Sequence, residues 1–248
     1  MATIRCQDQT FTPIEAVIFD KDGTLADVAS FLKSLGQKRS RLVDAQIPGV
    51  QEPLLMAFGF EENQLNPAGS LAVGSRRENE IIAAAYVAET GRDWLEALEV
   101  AQSAFAEADS YLKPKAKHTP LFAGALEALV ALTTAGITVG ILSADLPEQI
   151  AEFIQHYDLT PYIQAYLGVT GTISKPDPTL FHQLCADLKV APEQTLIVGD
   201  ACTDIKMGQA AGAAGCIQVT WGWSSPPSLG SIKPDATISQ WDQLQILI

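Results

Sequence analysis

The chain has 248 residues, 47% of them hydrophobic, which is enough to bury a full core and leaves room for one large domain or a core with a smaller companion. Sixteen Lys and Arg against 29 Asp and Glu give a formal net charge of -13, a surface field that repels phosphate backbones and anionic lipid and so argues against nucleic acid or a membrane as partner. The four cysteines, Cys6, Cys185, Cys202 and Cys216, form no CxxC pair or zinc spacing, and no basic start leads into an apolar stretch at the N-terminus, so a reducing cytoplasm is expected.

In chain order, the first informative segment is Ala16-Val17-Ile18-Phe19, a continuous apolar run that ends abruptly in Asp20, as a parallel strand buried on both faces does. A Gly-Thr turn follows at residues 23 and 24. Beyond it the character changes. Helical patterns such as residues 81–88 and 94–108 succeed one another with no convincing buried strand between them, which predicts an inserted α-helical domain over residues 27–114. The polar, proline-containing stretch 113–118 is the expected exit linker.

From about residue 118 strand and helix alternate. The apolar region 121–142 is broken by Glu127, two threonines and Gly136, so it predicts a helix followed by a strand and not a membrane span. The helix places Leu126, Leu129, Val130 and Thr133 on one face and stops at Gly136. The strand, 137–142, ends at Ser143. One further helix begins at Pro147, and another at Asp177-Pro178, a side-chain cap with proline in the first helical position, continuing through Leu180, Phe181, Leu184 and Leu188. Residues 195–199 form a third apolar run ending at Asp200, and a fourth strand is expected over 216–219; residues 221–234, rich in Gly, Ser and Pro, predict a surface loop before a short closing segment. This alternation predicts an α/β fold, a doubly wound parallel sheet built from residues 1–26 and 115–248.

In such a sheet, ligands bind outside the carboxyl ends of the strands, so Asp20, Ser143 and Asp200 should converge. Asp22 lies just beyond Asp20, Asp204 just beyond Asp200, and Lys175 on a loop before a helix. Any of these alone is more simply a turn residue, a helix cap or a solvated lysine; together they place four carboxylates and one lysine at one edge. Clustered negative charge is costly without a cation, and oxygen ligands select a hard ion such as Mg²⁺.

The motif Asp20-Lys21-Asp22-Gly23-Thr24-Leu25, followed in order by Ser143, Lys175-Pro176 and Gly199-Asp200 with Asp204, resembles the haloacid dehalogenase-like hydrolase superfamily over nearly the whole chain. Within it, the pattern is similar to the helical-cap subgroup and to phosphoglycolate phosphatase-like enzymes. The resemblance implies a Rossmann-like core and a Mg²⁺-dependent phosphatase acting on a small phosphorylated metabolite. Asp20 would be the nucleophile, forming an aspartyl-phosphate that divides hydrolysis into two easier steps. Asp22 would protonate the leaving oxygen and then activate water. Ser143 would donate a hydrogen bond to a phosphoryl oxygen, and Lys175 would supply positive charge where negative charge gathers. Mg²⁺ would be held by Asp20, by the backbone carbonyl of Asp22 and by Asp200, with Asp204 supporting the metal site.

Three positions depart from the commoner pattern: Ala144 follows Ser143 where asparagine is usual, and Ala201 with Cys202 follows Asp200 where a hydroxyl is usual. Lys21 occupies a variable position, its side chain expected to point away from Asp20 and Asp22. Arg76 and Arg77 are candidates for gripping a substrate carboxylate, against the favoured, plainer alternative of an exposed helix start. Two other functions are carried forward: a sugar-phosphate mutase of the same superfamily, and a catalytically silent regulatory or binding module. Dehalogenation is disfavoured, because a halide leaving group gives Asp22 no proton to supply.

Overall fold

The computed structural model describes residues 2–62, 64–224 and 229–247. Its elements in chain order begin with strands β1 (Ala2–Cys6), β2 (Gln9–Ile14) and β3 (Ala16–Phe19) and helices α1 (Ala29–Gln46) and α2 (Gln51–Phe58). There follow the two-residue strands β4 (Phe60–Glu61) and β5 (Gln64–Leu65), then α3 (Ser70–Val73), α4 (Arg76–Glu89), α5 (Trp94–Ser110) and α6 (Ala125–Thr134). The remainder runs β6 (Thr138–Leu142), α7 (Pro147–His156), β7 (Ala165–Leu167), α8 (Pro178–Leu188), β8 (Thr195–Gly199), α9 (Cys202–Ala211), β9 (Gly215–Val219), β10 (Ala236–Ile238) and β11 (Leu244–Leu247). The chain divides into two compact units, Met1–Val28 with Thr119–Ile248, and Ala29–His118.

The first unit is built on a six-stranded sheet of order β10-β9-β8-β3-β6-β7, parallel throughout. Helices flank the sheet, giving the expected Rossmann-like α/β core. Every residue of β3, β8 and β9 is buried, as strands made mostly of apolar residues require in a sheet covered on both faces. One core packs Phe181, Leu184 and Leu188 of α8 and Ile205 and Met207 of α9 against Ile18 and Ile197 of the sheet. Gly208 permits that approach, since a Cβ there would lie 2.4 Å from Ile197 Cγ2. Helix α8 starts as its sequence dictates: Asp177 Oδ1 accepts from the Thr179 amide at 2.9 Å, and Pro178 opens the first turn.

Helix α6 is apolar nearly all round, and its inward stripe differs from the expected one. Ala125, Leu129 and Leu132 are buried, whereas Leu126 and Val130 are 39% and 37% exposed. Two adjacent stripes of equal hydrophobicity leave the periodicity unable to choose between them. The sequence also gave no warning of the antiparallel sheet β11-β1-β2, or of the short strand β7 at the sheet edge. Residues 225–228 of the loop expected over 221–234 lie outside the described residues.

The second unit is helical, with a small hairpin, β4 with β5, that the sequence did not suggest. Its core is rich in small side chains: Ala83, Ala84 and Val87 of α4 and Ala97, Ala101, Ala104, Phe105 and Ala108 of α5 are all fully buried. The stretch taken for a polar exit linker belongs to this unit. Residues Lys115–His118 form a 3-10 turn in which Lys115 is buried, its ammonium 5.4 Å from the centre of the Phe31 ring.

Phe181 is fully buried in the core beneath the sheet. Phe181→Ala is expected to lower the unfolding free energy by ~3–5 kcal/mol, seen as a lower urea midpoint at unchanged m.

Candidate active site

Parallel register brings the key residues to one edge. Phe19 is level with Ile141 on one side and Val198 on the other, so the residues that follow each strand, Asp20, Ser143 and Asp200, emerge together. The Asp20 amide continues the ladder by donating to the Val198 carbonyl at 2.8 Å. The chain then turns sharply, the carbonyl of Lys21 accepting from the amides of Thr24, Leu25 and Ala26 at 3.3, 2.9 and 2.9 Å. Gly23 takes the left-handed φ of +80°, and a Cβ on it would sit 2.5 Å from Asp200 Oδ2, so both backbone and space demand glycine.

Asp20, Asp200 and Asp204 are buried, each offering a carboxylate oxygen within 4.8 Å of the others'. Lys175 Nζ bridges two of them, 2.8 Å from Asp20 Oδ1 and 2.7 Å from Asp204 Oδ1. Asp204 stands in the first turn of α9, where its Oδ2 accepts from the Ala201 amide at 3.2 Å and its charge meets the positive end of the helix dipole. Asp200 is oriented from two sides: Trp223 Nε1 donates to Oδ2 at 2.6 Å and Thr24 Oγ1 to Oδ1 at 3.3 Å.

The electrostatics follow from burial. Desolvation holds the Asp20 carboxyl well above its ordinary range, with Lys175 opposing and Asp204 and Asp200 adding to the effect. Asp200 is pushed up to about 7, first by burial and then by repulsion from Asp204, against the stabilising Trp223 donor. Burial alone would lower the Lys175 pKa, but Asp20 and Asp204 outweigh it and the pKa rises. Three carboxylates against one lysine leave the cluster short of positive charge, and its all-oxygen donor set suits a hard divalent cation.

Of the residues singled out in the sequence, Asp20, Asp200, Asp204 and Lys175 are thus joined by direct contacts or close approach. Ser143 is buried at the end of β6, its Oγ accepting from the Asp145 amide at 3.2 Å. The Asp22 carboxylate lies outside the three-acid cluster. It is ion-paired with Lys21, and this corrects the expectation that the Lys21 side chain points away: Lys21 is 1% exposed and binds both Asp22 and Asp145 Oδ2, the latter at 2.9 Å. A cation between two acids in sequence was the available signal for that pair; nothing local pointed to Asp145.

The loop after β9 was expected to lie on the surface, yet its start is tied to the site. Trp221 Nε1 donates to the Thr24 carbonyl at 2.9 Å, Trp223 holds Asp200, and a Cβ on Gly222 would fall 2.1 Å from the Gly23 carbonyl oxygen. In the helical unit, Arg76 is committed to Glu80 at 2.7 Å and to Asp109, while Arg77 is exposed.

Known proteins resemble this chain in sequence and fold. A family model described as haloacid dehalogenase-like hydrolase matches residues 14–212, and the chain belongs to that family. Among individual relatives, the phosphoglycolate phosphatase of Yersinia pestis is 25% identical over 237 residues, 94% of this chain and 93% of that one. The N-acetylmuramic acid 6-phosphate phosphatase of Pseudomonas putida is 29% identical over 201 residues, 80% of each chain. The crystal structure of a predicted phosphoglycolate phosphatase from Haemophilus somnus 129pt shares the fold with a TM-score of 0.66 at 18% identity, covering 92% of this chain and 95% of that chain.

The raised carboxyl pKa values fix a sign. Between the ordinary aspartate value of about 4 and the elevated native values, the folded chain holds more protons than the unfolded one, so stability falls as pH rises through that window. In EDTA, the melting temperature should therefore drop between about pH 5 and pH 8, and Asp200→Asn should drop less and exceed wild type at pH 8 by a few degrees. A wild-type melting temperature that climbs over this range would contradict the assignment.

Proposed function

We propose that the chain is a phosphatase that hydrolyses a small phosphate monoester through an aspartyl-phosphate on Asp20, with Mg²⁺ as cofactor. The observation that carries this reading is the placement of the Asp20 carboxylate at the end of the central strand, 2.8 Å from Lys175 Nζ and within the buried cluster with Asp200 and Asp204. Phosphatases among the relatives support the same chemistry.

Asp20 attacks phosphorus, and the bond from phosphorus to the ester oxygen breaks as Asp22 gives that oxygen a proton. Water then attacks the aspartyl-phosphate, Asp22 takes up its proton, and phosphate leaves with Asp20 restored. Lys175 steadies negative charge on the nucleophile and on the transferring group, and Ser143 donates a hydrogen bond to a phosphoryl oxygen. The cation would be held by Asp20, Asp200 and the Asp22 backbone carbonyl, with Asp204 behind, and would offset repulsion between a carboxylate nucleophile and an anionic phosphate.

A small metabolite is the proposed substrate class, and phosphoglycolate and N-acetylmuramic acid 6-phosphate are the esters to try first. Exposed Arg77 remains a candidate for a substrate carboxylate, whereas Arg76 has its partners within the helical unit. The cytoplasm is the proposed compartment, since the four cysteines are free thiols and three of them are buried.

Purified protein with Mg²⁺ should release phosphate from at least one member of a panel of small esters, and EDTA should abolish the release. Asp22→Asn should slow turnover ~10²–10⁴-fold. Asp20→Asn should eliminate it, and release by that variant at the wild-type rate would sink the mechanism. Interconversion of a sugar phosphate without net release would point to the mutase instead.

A further inference from the structure

Lys21 is among the largest fully buried side chains of the protein, and the chemistry proposed above leaves it without a task. A buried ammonium costs several kcal/mol unless it is paired, so its surroundings need an explanation. Its backbone carbonyl anchors the turn by accepting three amides, and its amide donates to Asp20 Oδ1 at 2.7 Å. The side chain is bound to other partners. The ammonium is bound to the Asp22 carboxylate and to Asp145 Oδ2 at 2.9 Å, and it lies 5.1 Å from the centre of the Phe153 ring on α7. Asp145 comes from the loop after β6, where its own amide donates to Ser143 Oγ. The contact chain therefore runs from one strand end to the next: Asp22, Lys21, Asp145, Ser143.

We propose that Lys21, anchored by Asp145 and Phe153, is a positioning residue that holds the Asp22 carboxylate in place for proton transfer. This rests on the phosphatase reading and adds to it a residue outside the four expected participants. Asp22 sits on a turn that begins directly after the nucleophile, its carboxylate is 18% exposed, and the ion pair with Lys21 fixes that carboxylate against a fully buried cation. Asp145 explains why the device needs two acids. It gives the buried ammonium a second charged partner, so its pairing does not depend on Asp22 alone. A misplacement of about 1 Å can cost on the order of 10²-fold in rate, which sets the scale of what such a brace protects.

The test uses the full chain with Mg²⁺ and two aryl esters in single-turnover mode. The leaving group of 4-nitrophenyl phosphate departs as a stable anion, whereas that of phenyl phosphate depends on a proton donor. Lys21→Met should slow phenol release on the order of 10²-fold and nitrophenolate release by less than about tenfold. Lys21→Arg should restore most of the phenyl phosphate rate, and Asp145→Asn should show the same discrimination more weakly. A merely structural lysine would lower both rates together. Equal losses on the two esters, or no loss on either, overturn the proposal, and should Lys21→Met fail to fold by circular dichroism, the Arg and Asp145 variants decide the same question. If wild type releases phosphate from neither aryl ester nor any member of the panel above, the phosphatase reading falls as well; if wild type turns over both aryl esters and the variants keep its ratio, only the positioning role is lost.

Discussion

Bringing the carboxylates of Asp20, Asp200 and Asp204 within 4.8 Å of one another inside the protein works against both desolvation and mutual repulsion, and much of the surrounding structure serves to bear that cost. Strand register delivers Asp20 and Asp200 to the same edge. Lys175 spans Asp20 and Asp204, Trp223 donates to Asp200, and the first turn of α9 receives Asp204. Glycine at 23 and at 199 keeps the backbone close enough for the acids to meet, since a Cβ at either position would lie 2.5 Å from an Asp200 or Asp204 side-chain atom. A fold that pays for such crowding gains a site ready for a cation and an anionic substrate.

Two of the buried lysines, Lys21 and Lys175, divide the acids around the nucleophile between them. Both ammonium groups are shared between two carboxylates, Lys175 between Asp20 and Asp204, Lys21 between Asp22 and Asp145. The aspartates two residues apart in sequence thus face different cations on different sides of the turn. Separation of this kind lets neighbouring carboxylates hold distinct roles, because each is oriented by its own partner.

Much of this was legible in the sequence, for identifiable reasons. β3 was found residue for residue because a strand buried on both faces must be continuously apolar, and α8 because Asp177-Pro178 is a physical start signal. The acids at strand ends were placed by the general rule for open parallel sheets. What escaped notice depends on packing between distant segments. The stripe of α6 was misjudged because two faces are equally apolar, and β4 and β5 because two-residue strands carry no period. Lys21, Asp145, Trp221 and Trp223 were missed as site residues because their partners lie up to 197 residues away, and composition suggested only a turn and a loop.

The central position of β3 also governs when the site can exist. Ala16 pairs with Thr138 and with Thr195, so the strand that carries the nucleophile has neither neighbour until about 120 further residues have followed it. During synthesis from the N-terminus, Asp20 emerges some 180 positions before Asp200 and Asp204. Until then an apolar strand with two open edges must avoid self-association, the condition in which nascent chains aggregate. Pairings of such sequence separation carry a high loop-closure cost and form slowly. The active centre is complete only once β8 and α9 are in place, and a fragment that stops short of residue 204 holds the motif without the full acidic cluster.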